Sequence, residues 1–350
     1  MNTTVKTTDL SLITIAPVAV YISAGVIGAV IYVGGFIGNF FSFLIFIQKE
    51  FRQISTSLLF LLLNIFGTIH LLSLIVEFFD SIFQIQLIPS GVFRCQFILW
   101  LQNTTRSTCS FLATTISIDR FLRSAYPVRS RIWCTPKNVF RLSIVYFLFS
   151  ALLYAFFYYP LNLFDNQGNC SFSFNITFHL FAINVMPPVR FLFICVLPTA
   201  IMLGCGSQML YNIRRSRRRV TQLRTLQIIP AMTVGTSISN ASSGGANNQQ
   251  TTIIENMLVL MVLANVCTYI VTQIPFNTYT IYYGYETGTS YLKYSVIRAI
   301  LLMWSSIYFG VGFYLFSIAS PQFRKQFLTK MKFICICFWS LTTTGIIQKK

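Results

Sequence analysis

Seven long apolar stretches constrain this chain more than any other feature. Residues 18–47, 54–76, 142–164, 191–213, 256–285 and 299–318 contain no charged side chain, and 95–118 contains one, Arg106. About 20 apolar residues suffice to cross the hydrocarbon core of a bilayer. Within lipid, only a helix satisfies every backbone group inside one segment. The stretches therefore predict an all-α membrane protein, a bundle of seven transmembrane helices. Composition agrees: charged residues are 10% of the chain, against about 25% in soluble domains.

The basic residues orient the bundle. Of 26 lysines and arginines, all but Lys6, Arg94, Arg106, Arg190, Lys293 and Arg298 fall in the segments on one side. The positive-inside rule makes that side cytoplasmic and the N-terminus extracellular. Residues 1–17 are then an extracellular segment, 18–320 the bundle and 321–350 a cytoplasmic tail, so the chain belongs in the plasma membrane as a multi-pass protein. The first apolar run is too long for the core of a cleaved signal peptide and suits a signal anchor. The net charge of +18 reads as this bias plus attraction to anionic membrane lipids; nothing suggests nucleic acid as a partner.

Five sequons occur, but only Asn2, Asn169 and Asn175 face outside in this topology and are expected to carry glycans. Cys95 and Cys170 are the two cysteines expected outside, where a disulfide can form. Cys335 and Cys337, beyond the last span, are either palmitoylated or free thiols. The polar, low-complexity run 225–252 is expected to be a disordered cytoplasmic loop. In the tail, Phe323, Phe327 and Met331 alternate with Arg324, Lys325, Lys330 and Lys332, the pattern of an amphipathic helix lying on the membrane.

The third stretch ends on Asp119-Arg120-Phe121. Arg120 lies 25 residues after Cys95, ~37 Å along a helix at ~1.5 Å per residue, so cysteine and charge pair sit at opposite membrane faces. These features together resemble the rhodopsin-like (class A) family of G-protein-coupled receptors. Gly38-Asn39 is similar to that family's first-helix signature, and Asp119-Arg120-Phe121 to its Asp-Arg-Tyr motif. Pro198 and Pro275 resemble the prolines of its fifth and sixth helices, and the run from Ser320 to Phe327 the start of its short eighth helix. The resemblance implies a Cys95–Cys170 disulfide and no cofactor, metal or catalytic residue. It also implies that an extracellular ligand signals to a heterotrimeric G protein.

The departures define a divergent branch, of invertebrate orphan or peptide-receptor type. Gly67 stands where the family carries a second-helix aspartate, and Cys109 where a serine completes a sodium site, so sodium modulation is not expected. Gln273 replaces a tryptophan, Tyr269 a phenylalanine and Gly206 a tyrosine. The seventh-helix Asn-Pro-x-x-Tyr motif is broken, with Tyr314 or Phe316 left to supply its aromatic.

Site residues follow from charge and register. Arg120 can pair with Asp119 beside it or with Glu255, the acid that the resemblance casts as an inactive-state lock. Asp119, Arg120, Glu255 and Tyr314 are thus the expected coupling and switch residues. Gln102, Arg106, Cys109 and Ala113 share one helical face, and Arg106 is a charge near the middle of its span, where charge usually marks function. Gln102, Arg106, Glu77, Arg298 and Gln273 are the expected ligand contacts, with an internal Arg106–Glu77 pair as the alternative. Neutral Gln102, where amine receptors carry an aspartate, argues against an amine. A pocket of both signs favours a peptide, with a small chemosensory molecule as the other choice. No nucleophile elbow, phosphate loop or zinc spacing suggests an enzyme. A transporter, which would show repeats and paired broken helices, or a non-coupling scaffold are the remaining rivals.

Overall fold

The computed structural model describes residues 7–52, 54–83, 85, 87–88, 93–158, 180–228, 244–284, 291–319, 321, 323–325, 327–329 and 331–332. Seven principal helices follow in order. They are α1 (Thr7–Phe46), α2 (Ser55–Phe83), α3 (Leu99–Ala125) and α4 (Pro136–Leu153). α5 runs from Met186–Phe191 through a π-helical turn, Leu192–Val196, into Leu197–Ile228. α6 is Gly244–Gly284, and α7 is Tyr291–Gly310 continued by Gly312–Ala319 after a bend of 49°.

Helix boundaries do not coincide with apolar boundaries. α4 begins six residues before its apolar run because Thr135 caps it, accepting a bond from the Asn138 amide at 3.3 Å, with Pro136 at the first helical position. A side-chain cap and a preset proline φ are helix-start signals independent of hydrophobicity. α1 likewise starts at Thr7, inside the segment expected as an extracellular tail. Of the run 225–252, residues 225–228 and 244–252 are helical and 229–243 lie outside the described residues. Extending an existing helix adds a hydrogen bond per residue fixed, so both flanking helices continue past their apolar parts.

Five of these helices are long and apolar enough to cross a membrane, and the bent α7 makes a sixth. α3 is the exception to the seven expected by sequence. Its 27 residues are ~40 Å long at ~1.5 Å per residue, but its middle is a run of polar side chains, Gln102 to Thr108. All of these are buried, because α3 packs against α2, α4, α5 and α6. A helix enclosed by other helices meets protein rather than lipid, so its polar groups are spared contact with hydrocarbon.

α1 meets α7 at glycine. A Cβ on Gly310 would lie 2.6 Å from the Cα of Gly35, so the two backbones touch where α7 bends. Beyond α7, the described residues of 321–332 are helical. Phe323 is buried and Phe327 packs on Phe41 and Phe313, with ring centroids 5.2 and 5.1 Å apart, while Arg324 and Lys325 are exposed. That is the amphipathic arrangement expected of the tail.

Candidate functional site

Polar chemistry concentrates on α3. At one end of the bundle Asp119, 3% exposed, accepts hydrogen bonds from Ser55 Oγ at 2.8 Å and from Thr56 Oγ1, both at the start of α2. Arg123 Nε pairs with the same carboxylate at 3.1 Å, and its Nη2 donates to Ser55 Oγ at 2.7 Å. The expected Asp119–Arg120 pair is thus corrected to Asp119–Arg123. Residues i and i+1 on a helix point about 100° apart, whereas i and i+4 are neighbours on one face. Sequence reasoning passed over Arg123, although its i+4 spacing was visible.

Arg120 itself is left largely without partners. Its Nε is buried and has no hydrogen-bond partner among the described residues. Glu255 falls within α6, but its side chain lies outside the described part of the structure. Phe121, Ser124, Tyr126, Gln208, Asn212 and Arg215 line a cleft of about 380 Å³ between α3 and α5. Cys134 follows the short helix Pro127–Trp133. Burial first, then the nearby Asp119 carboxylate, pushes its thiol up to about 11, so it stays protonated at neutral pH.

The middle of the bundle holds Arg106, 4% exposed. Its Nη2 donates to Ser305 Oγ of α7 at 2.8 Å, and its guanidinium carbon lies 4.5 Å from the centroid of the Phe276 ring on α6. A charge at the centre of a membrane helix costs about 2.5–3.5 kcal/mol. A desolvated cation–ring contact returns about 2 kcal/mol, and a charge-assisted hydrogen bond about 1.5–3 kcal/mol. Gln273 Nε2 donates to the Ser305 carbonyl at 2.8 Å, so one serine receives both α3 and α6. Phe276 and Ser305 carry no local sequence signal for this role; only the fold brings them to Arg106.

Towards the other end Gln102 Nε2 donates to the Ser73 carbonyl at 3.0 Å. Glu77 pairs with Arg298 across α2 and α7 at 3.4 Å, rather than with Arg106. Both are partly exposed, so this pair contributes about 0–1 kcal/mol. The five expected ligand contacts therefore fall into three places. Glu77 and Arg298 form an ion pair, and Arg106 and Gln273 meet at Ser305, while Gln102 is tied to α2.

Two of the substitutions relative to the family have structural consequences. Pro198 has no N–H to offer the Ile194 carbonyl one turn earlier, and the Tyr269 hydroxyl bonds to that carbonyl instead. The same hydroxyl oxygen lies 2.9 Å from Ser110 Oγ, so Tyr269 joins α3, α5 and α6. Gly67 lies against the Phe309 carbonyl, 3.4 Å from where its Cβ would sit. Asn39 Nδ2 donates to that carbonyl at 3.0 Å and to Thr68 Oγ1 at 3.1 Å. Tyr314 donates to the Gly34 carbonyl at 2.9 Å on the outer side of the bundle, whereas Phe316 is buried against Phe46, Phe60 and Phe323. His70, buried, bonds Thr105 Oγ1 at 3.1 Å and packs on Phe309. Among the described residues no group of three metal-ligating side chains occurs.

A profile of the family described as 7 transmembrane receptor (rhodopsin family) matches residues 38–310. The chain belongs to that family. It is a class A G-protein-coupled receptor and a multi-pass membrane protein, not an enzyme. The receptor is also similar to Galanin receptor 2b of Danio rerio, 28% identical over 156 residues, or 44% of this chain. The match spans 41% of that relative, less than half its length. Cys170, Asn2, Asn169, Asn175, Cys335 and Cys337 lie outside the described residues, as does the side chain of Cys95, so the expected disulfide, glycans and lipid anchors stay expectations for the receptor.

Proposed function

We propose that this receptor detects an extracellular peptide and passes the signal to a heterotrimeric G protein through Arg120. The observation that carries the reading is the unequal treatment of the two switch residues. Asp119 is fully engaged by α2 and Arg123, whereas the Arg120 guanidinium is held by no carboxylate among the described residues. An arginine so placed is available to an acid that distinguishes two states. Glu255 on α6 is that acid in the resting receptor, and a weak pair of about 0–1 kcal/mol, more if partly buried, biases the equilibrium while leaving a ligand able to overturn it.

The ligand enters from the Glu77–Arg298 end, between α2, α3, α6 and α7. Gln102, Arg106, Glu77, Arg298 and Gln273 contact it, and Tyr314 adjusts with α7. The peptide reading is supported by a site of both charge signs, by the absence of an amine-binding aspartate, and by the likeness to a galanin receptor. In cells without added ligand, Glu255→Ala should raise basal G-protein signalling several-fold and Arg120→Ala should silence it, at matched surface expression. Equal basal signalling in wild type and Glu255→Ala would discard the lock.

A further inference from the structure

Arg106 carries more charge than its surroundings answer. It is 4% exposed, and its contacts are a neutral hydroxyl, Ser305 Oγ, and the face of Phe276. Its Nε is a buried donor without a partner among the described residues. A guanidinium does not release its proton in proteins, so neutrality has to come from an anion. No acid described in the structure touches it: Glu77, whose charge reaches it only at a distance, is bonded to Arg298, and Asp119 is bonded to Arg123 at the far end of α3. Arg190, a second cation bound to Asn103 on α3 at 3.3 Å, adds positive charge to the same half of the bundle. Hydrogen bonds and a ring face lower the cost of burying a cation, but they leave its field unneutralised.

We propose that the Arg106 guanidinium, between Ser305 and Phe276, is a binding site for a small monovalent anion, either chloride or a carboxylate. Nε supplies a free donor, and the Ser305–Gln273 bridge fixes the guanidinium plane against α6 and α7. An anion there joins α3 to both helices by charge, in a family whose usual core ion is a cation beside an aspartate that this chain replaces with Gly67. The inference concerns a resident ion and stands whether or not Arg106 also touches the peptide.

The test is thermal unfolding of the full-length receptor in lipid nanodiscs, in sodium gluconate, sodium chloride or sodium formate at one sodium concentration and ionic strength. Gluconate, the bulkiest of the three anions, is the reference. Saturable binding should raise the wild-type midpoint by about 5 °C. A rise in chloride alone assigns a halide site, and a rise in formate assigns a carboxylate site. Arg106→Gln should abolish the rise, and Arg106→Lys should keep a smaller one. Should Arg106→Gln not fold, Ser305→Ala keeps the charge and should raise the half-saturating anion concentration several-fold. Identical wild-type midpoints in all three salts would overturn the proposal, leaving water to satisfy Nε. So would an equal rise in Arg106→Gln, or an unchanged half-saturation in Ser305→Ala.

Discussion

Gly310→Val should remove nearly all receptor from the cell surface. The added Cβ would sit 2.6 Å from the Gly35 Cα, and a backbone atom cannot rotate out of the way as a side chain can. α1 and α7 must separate along the contact that also seats Asn39 on the Phe309 carbonyl. Forcing atoms into a packed interface costs about 1–3 kcal/mol, and backbone-to-backbone contact puts this case at the upper end. Against a total stability of about 5–15 kcal/mol, surface staining should fall tenfold or more, with Gly310→Ala intermediate. Gly204→Val is the control, because a Cβ there meets nothing within 4 Å. Surface levels of Gly310→Val equal to those of Gly204→Val would show that the helix contact is not as close as described.

The second large effect belongs to Asp119. Asp119→Ala leaves Ser55, Thr56 and Arg123 without their shared acceptor. Breaking a fully buried ion pair costs about 3–5 kcal/mol. Arg123 is 34% exposed and can rehydrate, so about 2–3 kcal/mol is expected after that discount. The unfolding midpoint of the purified receptor should drop by about 4–8 °C. Arg120→Ala should move it little, since the Arg120 Nε has no partner among the described residues and a pair with Glu255 contributes only about 0–1 kcal/mol. If the two alanine variants melt together, the division of labour between these adjacent residues is wrong.

The bundle itself was legible because lipid imposes it: a long uncharged stretch has no stable alternative to a helix. The exception, α3, is instructive. Its polar middle reads as a poor span in isolation, and only its enclosure by α2, α4, α5 and α6 explains why Gln102 to Thr108 are all buried. Helix ends were less legible, since Thr135 and the continuation of α5 and α6 obey capping and propagation rather than apolarity. In the candidate site, the shared face of Gln102, Arg106, Cys109 and Ala113 followed from helical period alone, and all four are buried. The partners of Arg106 did not, because Phe276 and Ser305 lie far away in sequence and neither is unusual in a membrane helix. The expected Asp119–Arg120 pair gives way to Asp119–Arg123 for a different reason: neighbours in the chain point about 100° apart on a helix, whereas i and i+4 share a face. Tyr269 stood out as a substitution, but the carbonyl it satisfies became visible only through the missing N–H of Pro198.

The most direct measurement is guanine-nucleotide exchange on purified heterotrimeric G proteins by the receptor in nanodiscs, without ligand. Wild type, Glu255→Ala and the double variant Glu255→Ala/Arg120→Ala would be compared at equal folded amounts. The account predicts faster exchange in Glu255→Ala than in wild type, and a return to the rate of empty nanodiscs in the double variant. Exchange in the double variant as fast as in Glu255→Ala would contradict it, because Arg120 would then not be the residue through which this receptor couples.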